Sequence, residues 1–239
     1  MRGLRAMRGG VSKRSDQHFL GWAPFERLAE RYDTWFASEK GNRIFRVEAE
    51  CIRGLLMDMP HPWLEVGVGT GRFAAALGID EGVDPSAAVL KYAAERGIQT
   101  RIGSAEDLPY GNQRFGVTLL VVTICFLESP ARAFEECRRV LREDGCAIVG
   151  LVPKNSLWGK MYARKGAEGH PFYSAARFYT AREMIEFAER AGFYLNAATS
   201  CLFEGPDREV ERYGCHVEGM LEGAGFVALR FLRGAAKPC

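Results

Sequence analysis

Residues 64–74 read Leu-Glu-Val-Gly-Val-Gly-Thr-Gly-Arg-Phe-Ala. An apolar run (Trp63, Leu64, Val66, Val68) leads into three glycines at alternate positions, Gly67, Gly69 and Gly71, and a helix-compatible segment follows. Glycine lacks a Cβ, so the backbone can turn sharply there and come close to a ligand. A turn of this kind between strand and helix also aims free backbone N–H groups at whatever binds. Glu65 sits beside it. A carboxylate in that position would repel a pyrophosphate and suits a ligand that carries positive charge and hydroxyls.

Outward from this turn, short apolar runs alternate with helical patterns from residue 63 to about 152. That alternation predicts a doubly wound α/β domain with a mostly parallel sheet. Strands are expected at 63–67, 79–84, 98–102, 117–124 and 146–152, with a turn at Asp144-Gly145 before the fifth. Helices are expected from the glycine turn to Leu77, from Pro85-Ser86 to Gly97, and from Pro130 to about Arg142. The run 117–124 is the most hydrophobic and predicts a central strand buried on both faces. Thr180-Ala-Arg-Glu183 is a capping box that opens a helix ended by Gly192. Two further strands near 193–203 and 225–233 are expected to be antiparallel or mixed. These add up to a seven-stranded sheet with helices on both faces. Residues 18–58 have helical periodicity and are expected to form a lid over the carboxyl end of the sheet or to pack at its edge.

The chain has 239 residues, 47% hydrophobic and 26% charged, which suits one globular domain over 18–239. A net charge of +2 gives no electrostatic reason to expect nucleic acid. Arg2, Arg5, Arg8, Lys13 and Arg14 make residues 1–17 a basic tail, with Met7 an alternative start. No apolar core follows these charges, so a secretory leader is not expected. The apolar run from Val117 to Leu127 is too short to span a membrane. The seven cysteines are odd in number and lack C-x-x-C spacing, which argues against a disulfide framework or a zinc ribbon and for a reducing, cytoplasmic setting.

Open α/β sheets bind ligands beyond the carboxyl ends of their strands, where strand order reverses. That places the turn 67–71, Asp84, residues 103–106 and the end of the fourth strand around one crevice. Asp84 ends the second strand, and a carboxylate there can hold a ribose diol. The ordinary alternative is a cap for the helix that opens at Pro85-Ser86, but the glycine turn before it favours the ribose. The glycines fit G-x-G-x-G rather than the dinucleotide pattern G-x-G-x-x-G.

Taken together, Leu64 to Ala74, Val83-Asp84-Pro85-Ser86, Ala105-Glu106-x-Leu108-Pro109-Tyr110, and the run 117–124 followed by Leu127-Glu128-Ser129-Pro130 resemble the class I S-adenosylmethionine-dependent methyltransferases of small molecules. Ala29 to Phe36 resembles the lead-in of the same family, and the likeness covers about residues 25–195. It implies a Rossmann-like sheet, S-adenosylmethionine as cofactor and a small-molecule methyl acceptor. Gly67, Gly69 and Gly71 would approach the methionine part, with Glu65 beside them. Asp84, with Pro85 next to it, would hold the ribose hydroxyls. Ala105 and Glu106 would lie by the adenine, Thr123 would border the cofactor, and Tyr32 would belong to a lid helix. Three positions depart from the family pattern. Ser104 stands where many relatives have an aspartate for the adenine amino group, Phe115-Gly116 replaces Phe-Asp, and Glu143-Asp144-Gly145-Cys146 replaces a Pro-Gly-Gly turn.

Residues 154–179 form an inserted segment rich in Trp158, Tyr162, Phe172, Tyr173, Phe178 and Tyr179, which is expected to line the acceptor side or to pack as ordinary core. His170 within it is a candidate base beside Tyr32. Cys215-His216 has no spaced partners, so no metal site is expected. The carboxylates between Glu204 and Glu222 read as a solvated loop, since Arg208 and Arg212 interrupt them. The alternatives to a methyltransferase are a domain that binds the cofactor without catalysis and a nicotinamide-dependent oxidoreductase.

Overall fold

The computed structural model describes residues 21–208 and 216–234. The basic tail 1–17 and Cys215 lie outside the described residues. Among the described residues eight strands form one sheet: β1 (Trp63–Val66), β2 (Glu81–Asp84), β3 (Gln99–Ile102), β4 (Phe115–Val121), β5 (Leu141–Leu151), β6 (Phe193–Cys201), β7 (Val217–Glu218) and β8 (Phe226–Arg233). The spatial order is β3-β2-β1-β4-β5-β8-β6-β7. Strands β1 to β5 pair in parallel. β8 runs antiparallel to both β5 and β6. The seven long strands are those expected from the sequence, and the two-residue β7 adds an unforeseen edge.

Side chains of alternate residues point to opposite faces of a strand, and the two cores follow that rule. Val117, Leu119 and Val121 of β4 join Ile148 of β5 and Phe226 of β8 on one face. Leu120 joins Val149 and Phe231 on the other. Helix α3 (Glu39–Leu56), capped by Ser38, and α4 (Arg72–Leu77) cover the first face. Helix α6 (Pro130–Val140), with Ser129 as cap and proline at its start, and α8 (Ala181–Arg190) cover the second. The Thr180–Glu183 capping box of α8 is formed in both directions. Between β2 and β3, α5 (Ala87–Glu95) starts at a Ser86 cap and stops before Gly97, whose φ is +84°.

Two expectations need correction. The turn expected at Asp144-Gly145 lies inside β5, which starts directly after α6. Phe115 pairs with Leu141 and Val117 with Cys146, so the ladder slips and the intervening residues of β5 bulge. The amino-terminal helices also divide their work. α3 lies on a sheet face against β6 and β8 rather than at an edge, while α1 (Ala23–Arg27) and α2 (Ala29–Ala37) cover the carboxyl end. Strand order reverses between β1 and β4, which is where the crevice opens.

Candidate active site

The glycine turn is pinned by its neighbours in the sheet. The Gly67 and Val68 amides both donate to the Val83 carbonyl, at 2.8 and 3.1 Å. Gly67, Gly69 and Gly71 have φ of +73°, +52° and +78°, a region closed to most side chains. Gly69 donates its amide to Oδ2 of Asp84 at 3.0 Å, and Ser86 donates to Oδ1 at 2.9 Å. Burial raises the Asp84 carboxyl to about 6 and Glu26 adds to the rise, against the pull of these two amides. Ser86, not Asp84, is the helix cap.

Above the turn lies a cavity of about 1090 Å³. Gly67, Gly69, Asp84, Pro85 and Thr123 line it on the sheet side. Ser104, Ala105 and Glu106 line its rim, and Tyr32 and His170 face it from the other side. Glu65 and Gly71 are not in the lining. A Cβ on Gly71 would fall 2.8 Å from the Ala93 backbone, so this glycine lets α4 meet α5. Glu65 is buried under the turn, its carboxyl raised well above the usual range by desolvation although the Ala74 amide donates to it. Its Oε2 has no hydrogen-bond partner. An orphaned buried acceptor beneath a cleft suits a cationic ligand, and the Glu65 charge is felt at Tyr32.

The rim is tied together by Glu106. Its Oε1 accepts from the amides of Glu128 and Ser129, at 3.0 and 3.3 Å. Its other oxygen accepts from the Ser104 hydroxyl. Thr123 donates its hydroxyl to the Val121 carbonyl at 3.1 Å. A Cβ on Gly67 would fall 2.3 Å from the Thr123 methyl, so strand end and glycine turn are in close contact. Between them, β-branched Val122 has φ +51°, a strained conformation at the point where the sheet switches direction.

The roof is aromatic. Phe25 of α1 packs edge-on to Tyr32 and Phe126, with centroids 5.0 and 4.9 Å away, and leans on Phe172 at 5.1 Å. Segment 154–179 contributes α7 (Leu157–Ala167) and places Trp158, Tyr162, Phe172, Tyr173 and Phe178 on the cavity. Burial holds the Tyr32 hydroxyl protonated well above its usual range. His170 stacks on Tyr173 at 4.3 Å, and its Nδ1 accepts weakly from the amides of Phe172 and Tyr173. Burial, then Arg31 and Lys165, lowers its pKa, so the ring is neutral near neutral pH.

Several residues escaped the sequence reading. Asp33 of α2 takes Nε and Nη2 of Arg72 at 2.9 and 2.7 Å and Nη2 of Arg96 at 2.9 Å, which clamps the roof to α4 and α5. Glu26 accepts from the Ser86 hydroxyl at 2.7 Å and the Ala88 amide at 3.1 Å, at the start of α5. Glu48 of α3 is buried and faces the cavity. Arg72 follows Gly71 directly, which is a usable signal; Glu48 gives none, being one more acid in an amphipathic helix.

Residues 64–149 match the model of a methyltransferase domain family. A crystal structure from Thermotoga maritima, described as an SAM-dependent methyltransferase and possible histamine N-methyltransferase, is 35% identical with a TM-score of 0.82, over 89% of this chain and 99% of that one. An uncharacterized Methanocaldococcus jannaschii protein is 38% identical over 206 residues, 86% of this chain and 96% of the relative. An uncharacterized Mycobacterium tuberculosis protein is 37% identical over 214 residues, covering 89% and 74%. Sheet order, glycine turn and relatives agree: the chain belongs to the class I S-adenosylmethionine-dependent methyltransferases, with S-adenosylmethionine as its cofactor.

Proposed function

We propose that this enzyme transfers the methyl group to a small-molecule acceptor held under the aromatic roof, within a single domain spanning 18–239. The observation that carries the reading is the cavity itself. It joins the glycine turn and Asp84 to segment 154–179 in one space of about 1090 Å³. Ligand pockets commonly measure about 300–1,000 Å³, so this one has room for the cofactor and a small second molecule.

In this reading Asp84 holds the ribose hydroxyls, and Ser104, Ala105 and Glu106 frame the adenine. Gly67, Gly69, Pro85 and Thr123 form the walls, and the Glu65 carboxyl, held toward its neutral form by burial, supplies negative charge once a cationic end above it favours ionisation. Gly71 serves the cofactor indirectly, by seating α4 on α5. When bound, the cofactor brings its own leaving group on a sulfonium, so the protein's task is to bind and align. Placing the acceptor in line with the methyl carbon lowers the barrier by about 7–11 kcal/mol. The roof excludes water while charge is neutralised.

The description of the Thermotoga relative as a possible histamine N-methyltransferase supports a small acceptor. Family membership sets aside the oxidoreductase alternative. Among the described residues no helix is long and apolar enough to cross a membrane. The five described cysteines are free, which supports a cytoplasmic setting.

The test is titration with S-adenosylhomocysteine, followed by methyl-label transfer into a cell extract split by size. Binding with label in the small-molecule fraction is expected. Label confined to protein or nucleic acid would overturn the acceptor class.

A further inference from the structure

We infer that Glu48 is the acceptor-binding carboxylate: it seats a cationic amine in the aromatic half of the cavity and takes the proton the amine sheds before methylation. This rests on the methyltransferase reading above.

Glu48 is 6% exposed, lines the cavity, and has no hydrogen-bond or ion-pair partner among the described residues. Of the other buried acids, Glu65 keeps one oxygen unpartnered beneath the glycine turn and outside the cavity lining, and the rest are engaged. Glu81 pairs with Arg114, Glu136 pairs with Arg139, and Asp84 takes two amides. An unpaired carboxyl in an apolar site is destabilising unless something binds it. Its neighbours on α3 (Ile44, Val47, Cys51 and Ile52) are apolar core, so packing alone gives no reason for an acid here.

What surrounds Glu48 tells which ligand fits. Tyr162 and Tyr173 face the same space with ring centroids 4.5 Å apart, and Trp158 lies 6.1 Å from Tyr162. Aromatic faces attract cations, and a carboxylate completes a site for an ammonium group. A neutral acceptor would gain a hydrogen bond there but no charge pairing, and an anionic one would be repelled by the carboxylate.

Position fits as well. The Tyr32 ring lies against Gly69, where a Cβ would come within 3.4 Å of it. Tyr32 also feels the charges of Glu48 and Tyr173. The cofactor half and the acid half of the cavity therefore meet at Tyr32.

Burial, with a smaller push from Cys51 on the same helix, raises the Glu48 carboxyl to about 8. The other titratable groups that feel its charge are Tyr32 on α2, Tyr162 on α7, Tyr173 on the turn after it, and Cys201 on β6. None is cationic. Lys40 and Lys165 line the same cavity but form no ion pair with Glu48. A carboxyl tuned near neutral pH is suited to proton exchange with an amine.

The step balances. The ammonium gives one N–H proton to the Glu48 carboxylate and becomes a neutral amine with a free lone pair. That pair forms the N–CH3 bond as the S–CH3 bond breaks, and sulfur keeps the breaking pair. The product leaves as a methylammonium, and Glu48 returns its proton to solvent.

The test is calorimetry on protein loaded with S-adenosylhomocysteine, at pH 7 in two buffers of different ionisation enthalpy. The probes are 2-phenylethylamine, histamine and the neutral isostere 2-phenylethanol. At least one amine should bind about tenfold or more tighter than the alcohol and release close to one proton, because the neutral carboxyl ionises to pair with the cation. Glu48→Gln should abolish the preference and the proton release while keeping S-adenosylhomocysteine affinity, which also shows that the variant is folded. Amine turnover in Glu48→Gln should fall about 100-fold in kcat/KM. Amines that bind no better than the alcohol, or a variant that keeps proton release, would overturn the inference and leave the methyltransferase reading standing. Failure of the parent to bind S-adenosylhomocysteine would defeat both.

Discussion

Gly69 donates its amide to Asp84 across 3.0 Å, so the middle glycine of the turn is fixed to the acid at the end of β2. Asp84→Ala removes that acceptor and the one used by Ser86. The variant should bind S-adenosylhomocysteine about 1–3 kcal/mol more weakly, the scale of an orphaned polar contact. Calorimetry on parent and variant decides it, and equal affinities would remove Asp84 from the ribose site.

Gly71 and Gly97 separate backbone strain from crowding. Both have positive φ, +78° and +84°. A Cβ on Gly97 meets nothing within 4 Å, whereas on Gly71 it meets the Ala93 backbone at 2.8 Å. Gly97→Ala should cost about 1–2 kcal/mol from strain alone. Gly71→Ala should cost about 3 kcal/mol or more, because overpacking adds to it. Urea unfolding of both variants gives the difference, and equal losses would mean that α4 and α5 give way freely.

Asp33 links the roof to the body through Arg72 and Arg96. Burial alone would raise its carboxyl, but hydrogen bonds from Arg72, Thr70 and Arg96 outweigh that and hold it below 3.8. A depressed carboxylate stabilises the fold above its unfolded pKa and loses that contribution as pH falls through the folded value. Asp33→Asn should therefore melt below the parent at pH 7, and the gap should close on acidification below about pH 4. A gap independent of pH would show that the clamp acts by shape, not charge.

Glu48 has the opposite sign. Its folded pKa of about 8 lies above the unfolded 4.5, so the unfolded chain ionises first and stability falls as pH rises between the two. Without ligands, Glu48→Gln should match the parent near pH 4.5 and exceed it at pH 8.5 by about 2–5 kcal/mol, since each tenfold change in proton affinity is worth about 1.4 kcal/mol. Melting curves at the two pH values test this. A variant less stable than the parent at pH 8.5 would mean that the carboxylate has a structural partner.

What the sequence made legible was local. The Thr180–Glu183 capping box, Pro130 at the start of α6, and the alternating runs of β1 to β5 depend on residues close together in the chain. The gathering of the glycine turn, Asp84 and residues 104–106 around one cavity was legible for the same reason, since each follows the end of a strand. What failed depended on distant partners. Asp144-Gly145 reads as a turn until Leu141 is seen opposite Phe115. Gly71 reads as ligand-facing until Ala93 is seen behind it. The Asp33 clamp spans three helices, and the burial of Glu48 depends on α7 and β6, far along the chain.

The position of β8 bears on how the molecule is made. It enters between β5 and β6, two strands that leave the ribosome before it. Until Phe226–Arg233 arrives, the nascent chain carries two apolar strands with open hydrogen-bonding edges, and such edges invite pairing with other chains. A stop codon before Phe226 would leave the sheet split between β5 and β6, five strands on one side and two on the other, so its product should go to inclusion bodies rather than to a shortened enzyme.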